Sequence, residues 1–189
     1  MGFRIESKQL GEIVVLVPEA YEDNRGWFME SFRVDKFKEL GLPHEFVQDN
    51  QSLSKLGVIR GLHFQWDLPM SKLMRVTVGS AFVVAVDIRK GSPTLGQWFG
   101  LELSSENKKQ VWAPAGFARG FCALSDRVEL QYKCTAVHNA RGESSINVFD
   151  PEIGIRWPIQ TDFLLSEKDR NAQTLAHWLS TPNSDLLKY

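Results

Sequence analysis

The chain has 189 residues, enough for a domain with a sizeable buried core. Hydrophobic residues make up 43% of it, charged residues 24%, and the formal net charge is −1, so it lacks the basic excess of a nucleic-acid-binding protein. No apolar run is long enough to span a membrane, and the charged residues throughout 1–10 are unlike a secretory signal. We therefore expect a cytoplasmic globular protein that binds neither nucleic acid nor a membrane.

Short apolar runs separated by glycines and prolines continue along the chain and predict many strands joined by turns. In chain order, we predict strands at residues 13–17, 27–33, 57–65, 73–78, 81–88, 97–103, 110–113, 120–124, 128–135 and 145–149. Two short helices are predicted, one over 34–40 with Gly41 at its C-terminal cap and one over 174–179. Gly79 and Ser80 form a two-residue link that suits a tight hairpin turn.

This number and spacing of strands is typical of a β-sandwich or barrel. Residues 81–86 are apolar on both faces, which predicts a strand inside a sheet rather than at its edge. A jelly roll closes such a set of strands and leaves a cavity between its two sheets. We therefore predict an all-β jelly roll with a few short helices, forming a single domain over residues 1–189.

The segment 57–65 places Arg60 and His63 three residues apart in a strand that is otherwise apolar. A guanidinium stays charged, whereas an imidazole exchanges a proton near neutral pH. Because a buried charge needs a partner, this pair predicts an anionic ligand beside a general base. A base also needs a group that orients its ring, and Asp169 is a candidate, although sequence spacing does not show that it lies near His63.

Tyr132 shares one face of a predicted strand with Leu130 and Cys134. It is either a core residue with a satisfied hydroxyl or a proton donor at the cavity wall, and the pattern alone leaves both open. Cys134 and the other cysteine, Cys122, are too far apart in sequence for a zinc-ligand pair. We expect both to be reduced core residues.

A metal site is not expected. The strand 57–65 offers only His63, and the turn at 114–118 is followed by Arg119, whose guanidinium does not ligate metals. The remaining histidines, His44, His138 and His177, show no ligand spacing. Glycine-rich dinucleotide fingerprints are absent from the sequence, so we also expect no nicotinamide cofactor.

Nine motifs form one ordered set that extends over about residues 13–175. They are DNRGWFME at 23–30, VQDNQS at 47–52, GVIRGLHFQ at 57–65, KLMRV at 72–76, VDIRKGSPT at 86–94, PAGFARGF at 114–121, YKCT at 132–135, DPEIGIRWP at 150–158 and LSEKD at 165–169. This set resembles the dTDP-4-dehydrorhamnose 3,5-epimerase family, which acts on nucleotide-linked 4-keto-6-deoxy sugars.

The resemblance implies an epimerase without cofactor or metal, built on a cupin-type jelly roll and usually a homodimer. It implies that His63 is the base and that Asp169 orients it. Tyr132 would be the acid on the opposite face of the sugar, and Lys72 would lie near the keto oxygen. The residues that it implies at the nucleotide diphosphate or elsewhere in the site are Arg25, Phe28, Glu30, Gln48, Asn50, Arg60 and Lys168.

The implied chemistry suits these side chains. A ketone at C4 acidifies the hydrogens on C3 and C5, so a base can remove one and leave an enolate. A cation at the keto oxygen stabilises the negative charge as it develops. An acid on the opposite face then returns a proton and inverts the carbon. Neither a metal nor a nicotinamide is required.

Four positions depart from the family pattern. Arg119 and Val83 stand where the family commonly has histidine and aspartate, which predicts a coupled change in one part of the cavity. His138 replaces a tyrosine linked to the second epimerisation, and Arg156 replaces an aspartate. Arg119 and His138 nevertheless occupy positions that we expect to contact the substrate.

Inversion at both C3 and C5 is therefore the expected outcome, and inversion at one carbon is the alternative. A sugar-nucleotide-binding protein without activity is a different class, but it would be expected to lack the base or the acid, and this chain retains both. A 3,4-ketoisomerase would move the keto group between C3 and C4, and the motifs around Tyr132 and at 165–169 count against it.

Overall fold

A computed structural model gives the structure of residues 2–159 and 163–189. Over these residues the chain forms thirteen β-strands, three short α-helices and one 3₁₀ helix. The strands are β1 (Phe3–Gln9), β2 (Ile13–Pro18), β3 (Ala20–Asp23), β4 (Gly26–Met29), β5 (Gln48–Ser54), β6 (Ile59–Gln65), β7 (Lys72–Val78), β8 (Ser80–Asp87), β9 (Trp98–Ser104), β10 (Gln110–Ala113), β11 (Phe117–Ala123), β12 (Val128–Cys134) and β13 (Glu143–Ser145). The helices are α1 (Val34–Glu39), α2 (Glu167–Arg170), α3 (Leu175–Ser180) and a 3₁₀ helix (Pro182–Leu186).

Two antiparallel sheets contain most of the strands. The six-stranded sheet has the order β1-β2-β10-β7-β12-β5, and the five-stranded sheet has the order β13-β6-β11-β8-β9. An apolar core lies between them, contributed by Ile13, Val76 and Leu130 from one sheet and by Val83, Leu103 and Phe121 from the other. The predicted all-β jelly roll with few helices is confirmed.

The outer faces of both sheets are also partly covered. Trp178 of α3 packs on the five-stranded sheet, with its ring centroid 4.6 Å from that of Phe64. Phe37 of α1 packs on the six-stranded sheet against Leu16 and Trp112. Because β8 has a core on either side and lies between β11 and β9, the prediction that residues 81–86 form an interior strand is confirmed.

The predicted hairpin at Gly79 and Ser80 is wrong. Strand β7 pairs with β10 and β12, whereas β8 pairs with β11 and β9, so the link carries the chain from one sheet to the other. The apolar faces of the two strands meet across the core instead of side by side. Gly79 has φ +76°, and a Cβ there would lie 2.1 Å from the carbonyl oxygen of Arg127.

Two predicted strands have other bounds in the structure. The strand expected at 145–149 is displaced: β13 covers Glu143–Ser145 and ends where the prediction begins, because the side chain of Asn147 accepts a hydrogen bond from the Phe149 amide at 2.8 Å and forms a turn. The strand at 27–33 is β4, which ends at Met29 before α1. Both predicted helices are present, and Thr174 caps α3 by accepting from the His177 amide at 3.1 Å.

Strands β1, β3 and β5 were not predicted, and the longer two, β1 and β5, show why. Both alternate between more and less exposed residues, but charged and amide side chains occupy most of their positions, so apolar periodicity does not reveal them. Among the described residues, none of the helices is both long enough and apolar enough to cross a membrane.

Candidate active site

A cavity of about 160 Å³ lies between the two sheets. Its walls combine residues that are far apart in sequence, because inward-facing positions of five strands converge there. The lining residues are Ser52, Arg60, His63, Lys72, Met74, Arg119, Gly120, Phe121, Leu130 and Tyr132. Five of the site residues expected from the sequence therefore share one cavity.

His63 lies on β6, on the five-stranded wall of the cavity, with Asp169 behind it. The ring Nε2 is 2.7 Å from Asp169 Oδ1, and Asp169 is only 3% exposed. Ser166 caps α2 by accepting from the Asp169 amide at 3.1 Å, which fixes the carboxylate beneath the ring. With Nε2–H donating to the carboxylate, a neutral ring keeps an unprotonated Nδ1 that can accept a proton.

The electrostatics of Asp169 suit this pairing. Burial alone raises the pKa of the carboxyl, but the hydrogen bonds from His63 and Ser166 outweigh it and hold that pKa below its usual value. Asp169 is therefore ionised at neutral pH and favours the ring orientation described above. The structure thus brings together two residues, 106 positions apart, that sequence spacing could not connect.

Tyr132 and Lys72 lie on the six-stranded wall, opposite His63. The Lys72 ammonium is 4.6 Å from the centroid of the Tyr132 ring. Burial raises the pKa of the Tyr132 hydroxyl, although its hydrogen bond with Asn50 lowers it, so the phenol holds its proton at neutral pH. Burial and the nearby charge of Arg119 lower the pKa of Lys72 to about 8.

Arg119 connects the two walls. It lies on β11, in direct register with His63 of β6, and is only 3% exposed. One terminal nitrogen donates to the carbonyl oxygens of Met70 at 2.8 Å and Ala113 at 3.2 Å, on the side of the six-stranded sheet. Its Nε is buried and has no hydrogen-bond partner among residues 2–159 and 163–189. Burial lowers the pKa of Arg119 to about 10, so it remains a cation at neutral pH.

Three further predicted residues, Gln48, Asn50 and His138, form a polar group beside Tyr132. Asn50 pairs with Tyr132 in the β5–β12 register. The amide of Gln48 donates to Asn50 Oδ1 at 3.1 Å, and Gln48 Oε1 accepts from the His138 amide at 2.8 Å. The His138 side chain is exposed. These residues lie along the outer edge of the six-stranded sheet.

Arg60 and Lys168 border a second, open depression of about 360 Å³ next to His63 and Asp169. Arg60 donates from Nε to Ser54 Oγ at 3.0 Å, and Lys168 Nζ lies 2.6 Å from the carboxylate of Glu143. Arg60 lines both this depression and the inner cavity. It is therefore placed at the boundary between them.

Glu143 and Ser52 were missed as site residues. Glu143 lies on β13, where Ser145, two positions later, pairs with His63. The strand predicted from the sequence began at residue 145 and so did not include Glu143. Burial raises the Glu143 pKa, but the hydrogen bond from Lys168 outweighs it and lowers that pKa overall. Ser52 lines the cavity with a buried hydroxyl that has no partner in the described part of the chain, and the polar run at 48–52 was the signal for it in the sequence.

The structure does not bring Arg25, Phe28 or Glu30 to the cavity. Arg25 is on the turn between β3 and β4, where it pairs with Asp23 at 2.6 Å, and Phe28 is 61% exposed. Glu30 follows β4 and pairs with Arg33 at 3.4 Å. These three implied substrate contacts lie on and beside an exposed hairpin, and none of them lines the wall near His63.

Val83 lies on the cavity side of β8, where it pairs with Phe121 in register while Arg119 pairs with Ala85. Arg119 and Val83 therefore share one face of the sheet on neighbouring strands, as the expected coupling of the two departures requires. Arg156 is exposed and does not line the cavity. Within residues 2–159 and 163–189, no group of three or more His, Cys, Asp or Glu side chains is arranged to hold a metal ion.

The chain was compared with known proteins. Residues 7–177 match the family model described as dTDP-4-dehydrorhamnose 3,5-epimerase. The chain belongs to this family. A dTDP-4-dehydrorhamnose 3,5-epimerase from Methanothermobacter thermautotrophicus is 49% identical over 92% of this chain and 95% of its own length.

Two further relatives of this chain are a solved structure with a bound sugar nucleotide and an enzyme named for one carbon only. A dTDP-6-deoxy-D-glucose-3,5-epimerase from Legionella pneumophila, solved in complex with dTDP-4-keto-L-rhamnose, has a TM-score of 0.93 and 45% identity, and the match covers 99% of this chain and 98% of that one. A dTDP-4-dehydrorhamnose 3-epimerase from Streptomyces niveus is 40% identical over 85% of this chain and 78% of its own length. The family expected from the motifs, and its class as an epimerase, are confirmed.

Proposed function

We propose that this chain inverts C3 and C5 of a dTDP-linked 4-keto-6-deoxyhexose by removing and returning protons through an enolate. The observation that carries this proposal is the placement of His63 and Tyr132 on opposite sheets across one cavity. A sugar ring bound between the sheets would have a base on one face and an acid on the other. Epimerisation requires this arrangement, because the proton must leave from one face and return to the other.

The geometry supports the following steps. Nδ1 of His63 accepts the proton from the carbon next to the ketone, and Asp169 stabilises the imidazolium that forms. The C–H electron pair becomes the C=C bond of the enolate, and negative charge accumulates on the former keto oxygen. The Lys72 ammonium, which lines the wall of the cavity opposite His63, would stabilise that oxygen. Tyr132 then donates its phenolic proton to the opposite face.

Inversion at both carbons is the primary proposal because the Methanothermobacter and Legionella relatives are named 3,5-epimerases. Inversion at one carbon is the second candidate, favoured by the Streptomyces niveus 3-epimerase and by the exposed His138 in place of a tyrosine. We further propose that Arg60, Gln48, Asn50 and Lys168 bind the nucleotide diphosphate, with His138 and Glu143 beside them. The whole chain would then serve as one jelly-roll domain.

The protein is also proposed to act as a homodimer in the cytoplasm, where the free, buried Cys122 and Cys134 would stay reduced. Arg25 and Phe28 are expected substrate contacts, yet within one chain they are on a hairpin away from the cavity. An exposed aromatic on such a hairpin is suited to packing against a second copy. We propose that each hairpin completes the site of the partner subunit.

Solvent-exchange measurements test the activity. The protein is incubated in deuterated water with dTDP-4-keto-6-deoxyglucose, and label is located by mass spectrometry and NMR. Label at C3 and C5 supports the dual reaction, and label at one carbon supports the alternative. No label at either carbon, with this and related 4-keto sugars, would show that the chain is not an epimerase. Binding of dTDP-sugar in that case would indicate a binding protein without activity.

A mixing experiment tests the dimer. His63→Ala and Arg25→Ala are each expected to be inactive as pure dimers. In a mixed dimer, one site combines the intact His63 of one subunit with the intact Arg25 of the other, so activity returns. If mixing restores nothing although sedimentation shows that subunits exchange, the hairpin acts within its own chain or not at all.

A further inference from the structure

Two cations, the partly buried Lys72 and the buried Arg119, line the cavity without an anionic partner among the described residues. Lys72 and Arg119 form no ion pair with a carboxylate among residues 2–159 and 163–189. Arg119 is held by the neutral carbonyl oxygens of Met70 and Ala113, and its Nε has no partner. Burial of an uncompensated charge is costly, and two such charges repel each other. A site of this kind is suited to a ligand that brings negative charge.

The negative charge could come from the nucleotide diphosphate or from the enolate oxygen, and the position of Arg119 favours the enolate oxygen. Arg60 is exposed at the boundary of the cavity, where a nucleotide diphosphate can reach it. Arg119 is 3% exposed and spans from the β11 strand to the carbonyl of Ala113 in the other sheet, so it closes the end of the cavity. It is also the direct cross-strand neighbour of His63, and side chains in such pairs lie about 5 Å apart at Cβ. The Arg119 side chain therefore starts beside the proposed base and lines the same cavity.

The surroundings of Arg119 keep its charge available. On the same face of the neighbouring strand β8, Val83 and Ala85 carry no charge. Asp87, two positions further along that face, is a buried carboxylate, but it is already bound by Arg89, Ser92 and Thr94. Since one terminal nitrogen is fixed by backbone carbonyls, the plane of the guanidinium is held in place while other donors stay unused. A preorganised donor of this kind stabilises a developing charge without reorganisation during the reaction.

We propose that Arg119 is a second electrophilic catalyst, which contacts the enolate oxygen together with Lys72 from the opposite wall of the cavity. This inference rests on the proposed function. His63 Nδ1 takes the proton, the C–H electron pair forms the C=C bond, and the carbonyl π pair moves onto oxygen between the two cations. On return of the proton from Tyr132, the same electrons restore the ketone, so no other reactant is needed.

The test compares enolate formation with binding. For Arg119→Gln, we expect solvent deuterium exchange into the 4-keto sugar at saturation to fall about 10²–10³-fold, as when one oxyanion donor is removed. The affinity for dTDP, which lacks the ketone, should change by less than about threefold by calorimetry, because the diphosphate is bound elsewhere. Arg75→Gln, a half-buried arginine on the other face of β7 bound to Gln131, is the matched control and should exchange like the wild type.

Arg119→His supplies a second readout, which can be measured even if the Arg119→Gln protein does not fold. An introduced imidazole gains and loses charge between about pH 5 and 8. If the charge at this position stabilises the enolate, the exchange rate of Arg119→His divided by that of the wild type falls as pH rises. The ratio is read below about pH 7, where Lys72 is charged in both proteins, because the charge of Arg119 itself contributes to lowering the Lys72 pKa to about 8.

The outcomes are distinct. Loss of dTDP affinity with unchanged maximal exchange would assign Arg119 to the diphosphate and overturn the inference. Wild-type exchange in Arg119→Gln, or a ratio independent of pH in Arg119→His, would also overturn it. Absence of exchange in the wild-type protein would instead refute the proposed function itself.

Discussion

Replacing Asp169 with asparagine removes the charged partner of His63 but keeps its size. A hydrogen bond to a charged group contributes about 1.5–3 kcal/mol, equivalent to roughly 10–150-fold in rate. The asparagine has a second effect, because its NH₂ group can donate to Nε2 and leave the ring proton on Nδ1. Nδ1 is the nitrogen that must accept the substrate proton. We therefore expect Asp169→Asn to reduce exchange by about 100-fold or more.

The assay is the rate of deuterium incorporation at saturating substrate, with thermal unfolding measured in parallel. Asp185→Asn is a suitable control, since Asp185 is an exposed aspartate of the C-terminal 3₁₀ helix that pairs with Lys90 at 3.0 Å. It should leave exchange unchanged. If folded Asp169→Asn exchanges within about threefold of the wild type, the 2.7 Å contact does not orient the base and the proposed mechanism is incorrect.

Three further predictions follow from the site and the fold. Tyr132→Phe should still exchange the substrate proton, because His63 is intact, but NMR should detect little inverted product. Exchange in the wild type should decline as pH rises past about 8, because Lys72 loses its charge there. The titratable and charged groups around Lys72 are His63, Arg119, Tyr132, Cys134 and Glu143. In a pH–rate profile, Lys72→Arg should move that decline to higher pH. Gly79→Ala should lower the free energy of unfolding in urea by at least 2 kcal/mol more than Gly11→Ala, at roughly the scale of a severe backbone clash. Both glycines have positive φ, but only at Gly79 does a Cβ meet a backbone oxygen, at 2.1 Å, so equal effects would contradict the steric argument.

Much of the fold was accessible from local pattern. The apolar alternation within 73–78, 110–113 and 128–135 predicted strands that the structure contains, because one side of each strand is buried in the core. The same criterion missed β1 and β5, whose side chains are largely polar. It also mistook the Gly79 link for a hairpin, since sequence does not indicate whether two adjacent strands pair or face each other across a core.

The site shows the same division. The motifs indicated the family, and the resemblance predicted His63, Lys72, Tyr132 and Asp169 as site residues; the structure places the first three around one cavity and the fourth in contact with His63. Contacts with no fixed spacing in sequence were beyond that information, as Glu143 and Ser52 show.

By itself, the sequence determined the class of fold through its apolar periodicity and the family through its motifs, and that resemblance predicts His63 and Tyr132 as the proton-transfer groups. Tertiary structure alone decided that Asp169 contacts His63, that His63 and Tyr132 lie on opposite sheets, and that Arg119 spans from one sheet to the other. It also decided that the hairpin with Arg25 and Phe28 lies away from the cavity of its own chain. The physical reason is that these contacts depend on how the two sheets pack. Packing brings together residues that are far apart in sequence, and local sequence patterns do not encode which ones meet.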